Sequence, residues 1–137
     1  LAAALEFALV DAVTHLPEER KFTFEFTCPE DLEDRLGLPA SMKMQVYRIA
    51  QEAISNICRH AQATHVRFTV TLDESGELSL VIEDNGIGMK DKEPPGWRGR
   101  GLANIRARAG LIEADAEWAD GKDGGTVFTL RKAEAGA

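Results

Sequence analysis

The chain has 137 residues, 44% of them hydrophobic, with 23 acidic against 16 basic side chains and a formal net charge of −7. That is the size of one domain with one core, and its acidic balance argues against a non-specific nucleic-acid or anionic-membrane surface, which needs clustered Lys and Arg. Two cysteines, Cys28 and Cys58, are too few for a disulfide framework, and neither a membrane-length apolar run nor a secretory leader is present, so the expectation is a soluble domain in a reducing cytoplasm.

Leu1 to Leu16 places Leu5, Leu9, Ala12 and Leu16 at intervals of three and four, the pattern of an amphipathic helix, and Pro17 ends it. Lys21 to Thr27 alternates Phe22, Phe24 and Phe26 with polar residues and predicts a half-buried strand. Cys28 to Leu38 is acidic and irregular, a loop with a short turn of helix. Pro39 suits the first turn of a long helix running to about Ala61, with Val46, Ala50, Ala53, Ile57 and Ala61 on one apolar stripe that Ile54 and Cys58 widen.

His65 to Leu72 alternates again and predicts a strand, joined through the turn Glu74-Ser75-Gly76-Glu77 to another over Leu78 to Glu83. From Asn85 to Gly101 the composition turns to glycine, proline and charge, a loop long enough to suggest function rather than connection. A helix follows over Leu102 to about Ile112. Two last strands, near Ala116 to Ala119 and Thr126 to Arg131, flank a glycine-rich turn over Asp120 to Gly125. Adjacent hairpins together with two long helices predict a two-layer α+β sandwich with a mixed, mostly antiparallel sheet, and disfavour the strict alternation of a dinucleotide-binding or P-loop fold.

Three segments carry candidate chemistry. Gly99-x-Gly101 before a helix misses the dinucleotide fingerprint, because Asn104 stands where the third glycine belongs. It still offers unpaired amides and a positive dipole end to an anion, against the plainer reading of a hinge and helix entry. Asp84-Asn85-Gly86-Ile87-Gly88 looks like a hairpin turn, but no strand returns after it. A carboxylate at a strand end beside two glycines suits the exocyclic amine of a base. On the long helix Glu52, Asn56 and His60 fall at i, i+4 and i+8 with Arg59 beside them. They form either a solvated polar face or a site where an amide oxygen helps hold a hard cation such as Mg²⁺. His15 and His65 read as surface histidines, Cys58-x-His60 lacks further zinc ligands, and Trp97 is either a loop anchor or locally packed.

Together the segments resemble the ATP-binding fold shared by gyrase, histidine kinases and MutL, the GHKL or Bergerat fold. Gln51 to Ala61 resembles its N box, Asp84-Asn85-Gly86-Ile87-Gly88-Met89 its G1 box and Gly99-Arg100-Gly101-Leu102 its G2 box. Gly125-Thr126 is similar to the segment whose threonine closes the adenine pocket. Tyr47-Arg48-Ile49 before Gln51-Glu52-Ala53, with Arg59-His60-Ala61 after, is most similar to sensor histidine kinases of the nitrate-sensor and thermosensor type, which usually carry Lys where Arg59 stands.

The resemblance implies ATP and Mg²⁺ as cofactors. Asn56 would hold Mg²⁺, Glu52 would orient a water or assist proton removal, and Arg59 and His60 would face the phosphates. Asp84 would accept from adenine N6, Gly86 and Gly88 would let base and ribose approach, Gly99 and Gly101 would hinge a lid over Lys90 to Arg98 and present amides beside Leu102, and Thr126 would bond near the adenine. It further implies a cytoplasmic catalytic domain over residues 1–137, with residues 1–16 a connecting helix. The phosphoacceptor histidine would lie on a separate dimerising helical hairpin, from which a response regulator takes the phosphoryl group. An anti-sigma-factor-type serine kinase and a non-catalytic nucleotide-binding module are the alternatives.

Overall fold

The computed structural model describes residues 1–87, 99–122 and 124–133. Helix α1 (Ala2–Thr14) leads through a 3₁₀ turn at Glu18–Arg20 to strand β1 (Thr23–Thr27) and the short helix α2 (Leu32–Arg35). Helix α3 (Ala40–Asn56) runs on into a π-helical turn, Ile57–Ala61. Strands β2 (His65–Leu72) and β3 (Leu78–Asp84), helix α4 (Gly99–Leu111) and strands β4 (Asp115–Asp120) and β5 (Thr126–Lys132) complete the described chain.

The five strands lie in the order β1-β2-β3-β5-β4. Only β1 and β2 run parallel; the other three pairings are antiparallel. The mixed, mostly antiparallel α+β sandwich expected from the sequence is therefore the architecture. Period-two alternation does the sorting: Val66, Phe68, Val70, Leu78, Leu80 and Ile82 are all buried on the inner face. Burying each such side chain contributes about 1.5–3 kcal/mol. On the outer face Glu25, Arg67 and Glu83 form one cross-strand row, with Arg67 3.4 Å from Glu25 and 3.8 Å from Glu83.

The helices cover the inner face, with α3 packed between α1 and α4. Leu5 and Leu9 of α1, Val46, Ile49 and Ala50 of α3, and Ile105 of α4 are fully buried in one cluster with the inner strands. None of the described helices is long and apolar enough to cross a membrane.

Several boundaries differ from the sequence pattern. β1 starts at Thr23, where its amide first finds a partner in the Thr64 carbonyl at 3.0 Å; Phe22 is buried without being in the strand. Pro39 has extended backbone and precedes α3 rather than forming its first turn; its carbonyl instead accepts from the Met42 and Lys43 amides, both at 3.0 Å. β3 gains Asp84, which pairs with Val66 on one side and Thr126 on the other. α4 begins at Gly99, so both glycines that were expected to precede the helix lie in its first turn.

Candidate functional site

Two of the few buried polar side chains sit side by side. Asp84 ends β3 on its inner face, and Thr126 opens β5 directly opposite it in register; they are 8% and 7% exposed. They border a pocket whose other walls are mostly apolar: Ala53, Asn56, Ile57 and Ala61 from the helix, Ile82 from β3, Leu102 from α4, Trp118 from β4 and Phe128 from β5. A concave apolar slot with a few convergent polar groups is the usual form of a small-molecule site.

Backbone closeness builds it. The Gly86 amide donates to Asp84 Oδ1 at 2.9 Å, an Asx-type turn that bends the chain off the strand. The next amide, Ile87, donates to the Ala61 carbonyl at 2.7 Å, fastening this turn to the end of the long helix. A side chain cannot fit there, since a Cβ on Gly86 would stand 1.9 Å from the Ala61 oxygen. Gly125 makes the matching approach from β5: its φ is +74°, and a Cβ on it would stand 1.9 Å from the Asp84 oxygen.

Asn85, between the two, serves the frame. Its Oδ1 accepts from the Thr64 and His65 amides at 2.9 and 3.0 Å, and its Nδ2 donates to Thr64 Oγ1 at 2.9 Å. Sequence reasoning weighed this Asn-Gly as a hairpin signal and set it aside, and it did not see that the asparagine ties β3 back to the start of β2.

The π turn forms the end of the helix beside the pocket. An α-helix would carry Glu52, Asn56 and His60 down one stripe. In the widened turn, Ile57 and Ala61 line the pocket and Ala61 is buried, while Arg59 is exposed. Gln62, at φ +53°, then ends the turn. Arg20, from the 3₁₀ turn, donates to the Cys58 carbonyl within the widened turn, the kind of side-chain donor that carbonyls at helix ends require. Burial pushes the Cys58 thiol up, the opposite of the lowering that makes a reactive thiolate.

Of the residues selected from sequence, Asn56, Asp84, Leu102 and Thr126 meet at one pocket, and Gly86 lies in the turn that Asp84 holds. Glu52, Arg59 and His60 do not line it; Glu52 is one helical turn before Asn56, and its carboxylate pairs with Arg59 at 3.7 Å. Gly99 and Gly101 are in the same first turn of α4 as Leu102. Gly88 and residues 89–98 of the expected lid lie outside the described residues. Sequence reasoning missed the pocket role of Ile82, Phe128 and Trp118. The first two sit two residues from Asp84 and Thr126 on the same strand faces, so alternation alone could have found them; Trp118 is reached only through the strand register.

Among the described residues no group of three or more His, Cys, Asp or Glu side chains is placed to hold a metal. The oxygen donors near the pocket, with Asn56 foremost, fit a hard cation that keeps waters and takes its remaining ligands from a bound phosphate, the ordinary habit of Mg²⁺.

Residues 42–135 match the model of the "Histidine kinase-, DNA gyrase B-, and HSP90-like ATPase" family. Among curated proteins, the nitrate/nitrite sensor protein NarQ of Escherichia coli is 31% identical over 96 residues, covering 69% of this chain and 17% of that protein. The oxygen sensor histidine kinase NreB of Staphylococcus carnosus is 33% identical over 85 residues, covering 62% of this chain and 24% of that protein. The chain thus spans less than a quarter of the length of these relatives. Among solved structures, the blue-light activated histidine kinase of Erythrobacter litoralis superposes with a TM-score of 0.77 at 17% identity, over 97% of this chain and 41% of the other. The ATP binding domain of PrrB from Mycobacterium tuberculosis superposes with a TM-score of 0.69 at 24% identity, over 97% and 93%. At those identities the superpositions establish the shared fold.

Proposed function

The chain belongs to the histidine kinase-, DNA gyrase B- and HSP90-like ATPase family, and we propose that within it this is the cytoplasmic ATP-binding catalytic domain of a two-component sensor histidine kinase. It would pass the γ-phosphoryl group of ATP to a histidine on a separate dimerising helical domain, from which a response regulator receives it. The observation that carries this reading is the buried, register-paired Asp84 and Thr126 at the edge of an apolar slot. A carboxylate there accepts from the exocyclic amine of adenine and a threonine hydroxyl completes the ring-edge contacts, while Ala53, Ile57, Ile82 and Phe128 give the base an apolar, water-poor setting.

The remaining roles are those the family resemblance implies. Asn56, on the pocket wall, would supply an amide oxygen to Mg²⁺, whose bound charge would supply neutralisation to the transferring phosphoryl group. Glu52, one turn back, is placed to orient a water in that shell or to take a proton from the attacking histidine. Arg59 would leave Glu52 for the phosphates at little cost, because an exposed ion pair is worth only about 0–1 kcal/mol, and His60 would face the same phosphates. The amides of the first turn of α4, at Gly99 and Gly101, add the positive end of a helix dipole. Gly88 would let base and ribose approach the backbone, and the lid over residues 90–98 would close over the nucleotide and exclude water.

The test is a calorimetric titration of this chain with a non-hydrolysable ATP analogue, with and without Mg²⁺, beside Asp84→Asn. The expected result is saturable, adenine-selective binding that tightens with Mg²⁺ and weakens about 10- to 100-fold in the variant, the range for a lost hydrogen bond to a charged group. Equal affinity in the two chains would sink the assignment of Asp84. Phosphotransfer to the acceptor helices of the parent protein then tests the kinase reading itself.

A further inference from the structure

Trp118 carries no role in the polar account of the pocket, yet it is its largest wall residue. It stands on β4, the edge strand of the sheet, opposite Phe128 in register. The two rings meet with centroids 5.1 Å apart and planes inclined at 41°. Phe128 is buried, whereas the indole is only partly covered, and both line the pocket with Ile82 and Asp84. Arg106 places its guanidinium 4.8 Å from the Trp118 ring centroid. Arg106 is one helical turn past Leu102, itself a pocket residue, so one stripe of α4 both lines the pocket and lies against the indole.

This arrangement suits a planar heteroaromatic ligand. A tilted pair of aromatic side chains offers π surface to such a ring, and an indole is the side chain best able to hold a cation over its face. We propose that Trp118 contacts the base of the bound nucleotide and that Arg106 is a positioning residue that fixes the indole for that contact. The inference rests on the ATP-site reading above and deepens it, because it assigns base recognition to the edge strand as well as to Asp84.

The experiment uses the full chain carrying Trp97→Phe, which leaves Trp118 as its single tryptophan. The non-hydrolysable ATP analogue and ADP should each change the Trp118 emission saturably, with midpoints that match calorimetry, whereas inorganic tripolyphosphate should leave the emission unchanged. Trp118→Ala should weaken the analogue about tenfold, the scale of one lost base-aromatic contact, with Trp118→Phe recovering most of it and tripolyphosphate affinity unmoved. Arg106→Gln should weaken the analogue about threefold and shift the emission.

Emission that stays constant while calorimetry shows saturation would overturn the inference and leave the ATP site standing. So would a Trp118→Ala chain that binds the analogue as the parent does, or one that loses analogue and tripolyphosphate in equal proportion, the mark of a purely structural role. If Trp118→Ala does not fold, the emission titrations and Arg106→Gln decide alone. Absence of any analogue binding by the unsubstituted chain would remove the ATP-site reading, and this inference with it.

Discussion

Gly86→Ala is the substitution whose consequence the structure fixes most tightly. The added Cβ would stand 1.9 Å from the Ala61 oxygen, 2.6 Å from its carbon and 3.0 Å from its Cβ. Two of these are backbone atoms, so no side-chain rotation relieves the overlap; the turn after β3 and the end of the π turn must separate. Overpacking of this kind costs about 1–3 kcal/mol, and separating the two segments also breaks the Ile87 to Ala61 hydrogen bond, about 1 kcal/mol more. Losing glycine's freedom in the unfolded chain offsets about 0.4–1 kcal/mol. The net, about 1–3.6 kcal/mol, lowers the melting temperature by about 3–12 °C for a chain of this length. Thermal unfolding followed by circular dichroism measures it. Gly110→Ala is the control: a Cβ there meets nothing within 4 Å, so the better helix former should raise the melting temperature by up to about 3 °C. If Gly86→Ala melted at or above the unsubstituted chain, the claim that this glycine is required by close backbone approach would be wrong.

Other expectations use the same material. Asn85→Ala removes three hydrogen bonds that tie β3 to Thr64 and His65; because Thr64 is exposed and water substitutes in part, the cost is about 1–2 kcal/mol, and a melt unchanged within error would contradict it. Glu52→Gln should leave binding of the ATP analogue nearly unchanged yet slow phosphotransfer to the acceptor helices by about 100-fold, the scale of lost acid-base assistance; an unaltered rate assigns that work elsewhere. The Glu25 carboxyl is held below its ordinary value, first by its hydrogen bond with His65 and then by Arg67. A lowered folded-state value stabilises the fold above the ordinary glutamate pKa of about 4.3, and the gain is lost as pH falls through the lowered value. Melting temperatures of Glu25→Gln and the unsubstituted chain should therefore differ most near neutrality and converge in acid, and a difference that grows toward low pH would reverse the argument.

Most of the fold was legible because its elements advertise themselves by period. β2 spans the residues its alternation predicts, since Val66, Phe68, Val70 and Leu72 have one buried face available to them. The helices were legible from their stripes, but their ends were not. α4 starts three residues early because a first turn can be built on glycine backbone that propensity scores against. The π turn left no local mark: Ile57 to Ala61 reads as ordinary helix, and the widening is visible only with its distant partners, Arg20 on the Cys58 carbonyl and Ile87 on that of Ala61.

The site shows the same division. Asp84 and Asn56 could be singled out by residue type and spacing, and Thr126 by the family resemblance, whereas Trp118 could not. Its place depends on β4 pairing with β5 in the register that sets Trp118 against Phe128, and on α4 lying across it to bring Arg106 over the ring. The same dependence explains why the glycines are spaced as they are. Gly86 and Gly125 lie 39 positions apart in sequence, yet each clears room for a carbonyl oxygen, that of Ala61 in one case and that of Asp84 in the other. Asp84 thus has its main chain packed against the β5 turn and its carboxylate held by the turn amide, so its direction is set from both sides before any ligand arrives. Preorganisation of that kind is what lets a single buried carboxylate select a base edge, and it is why the two close-approach glycines should affect binding as strongly as residues that touch the ligand.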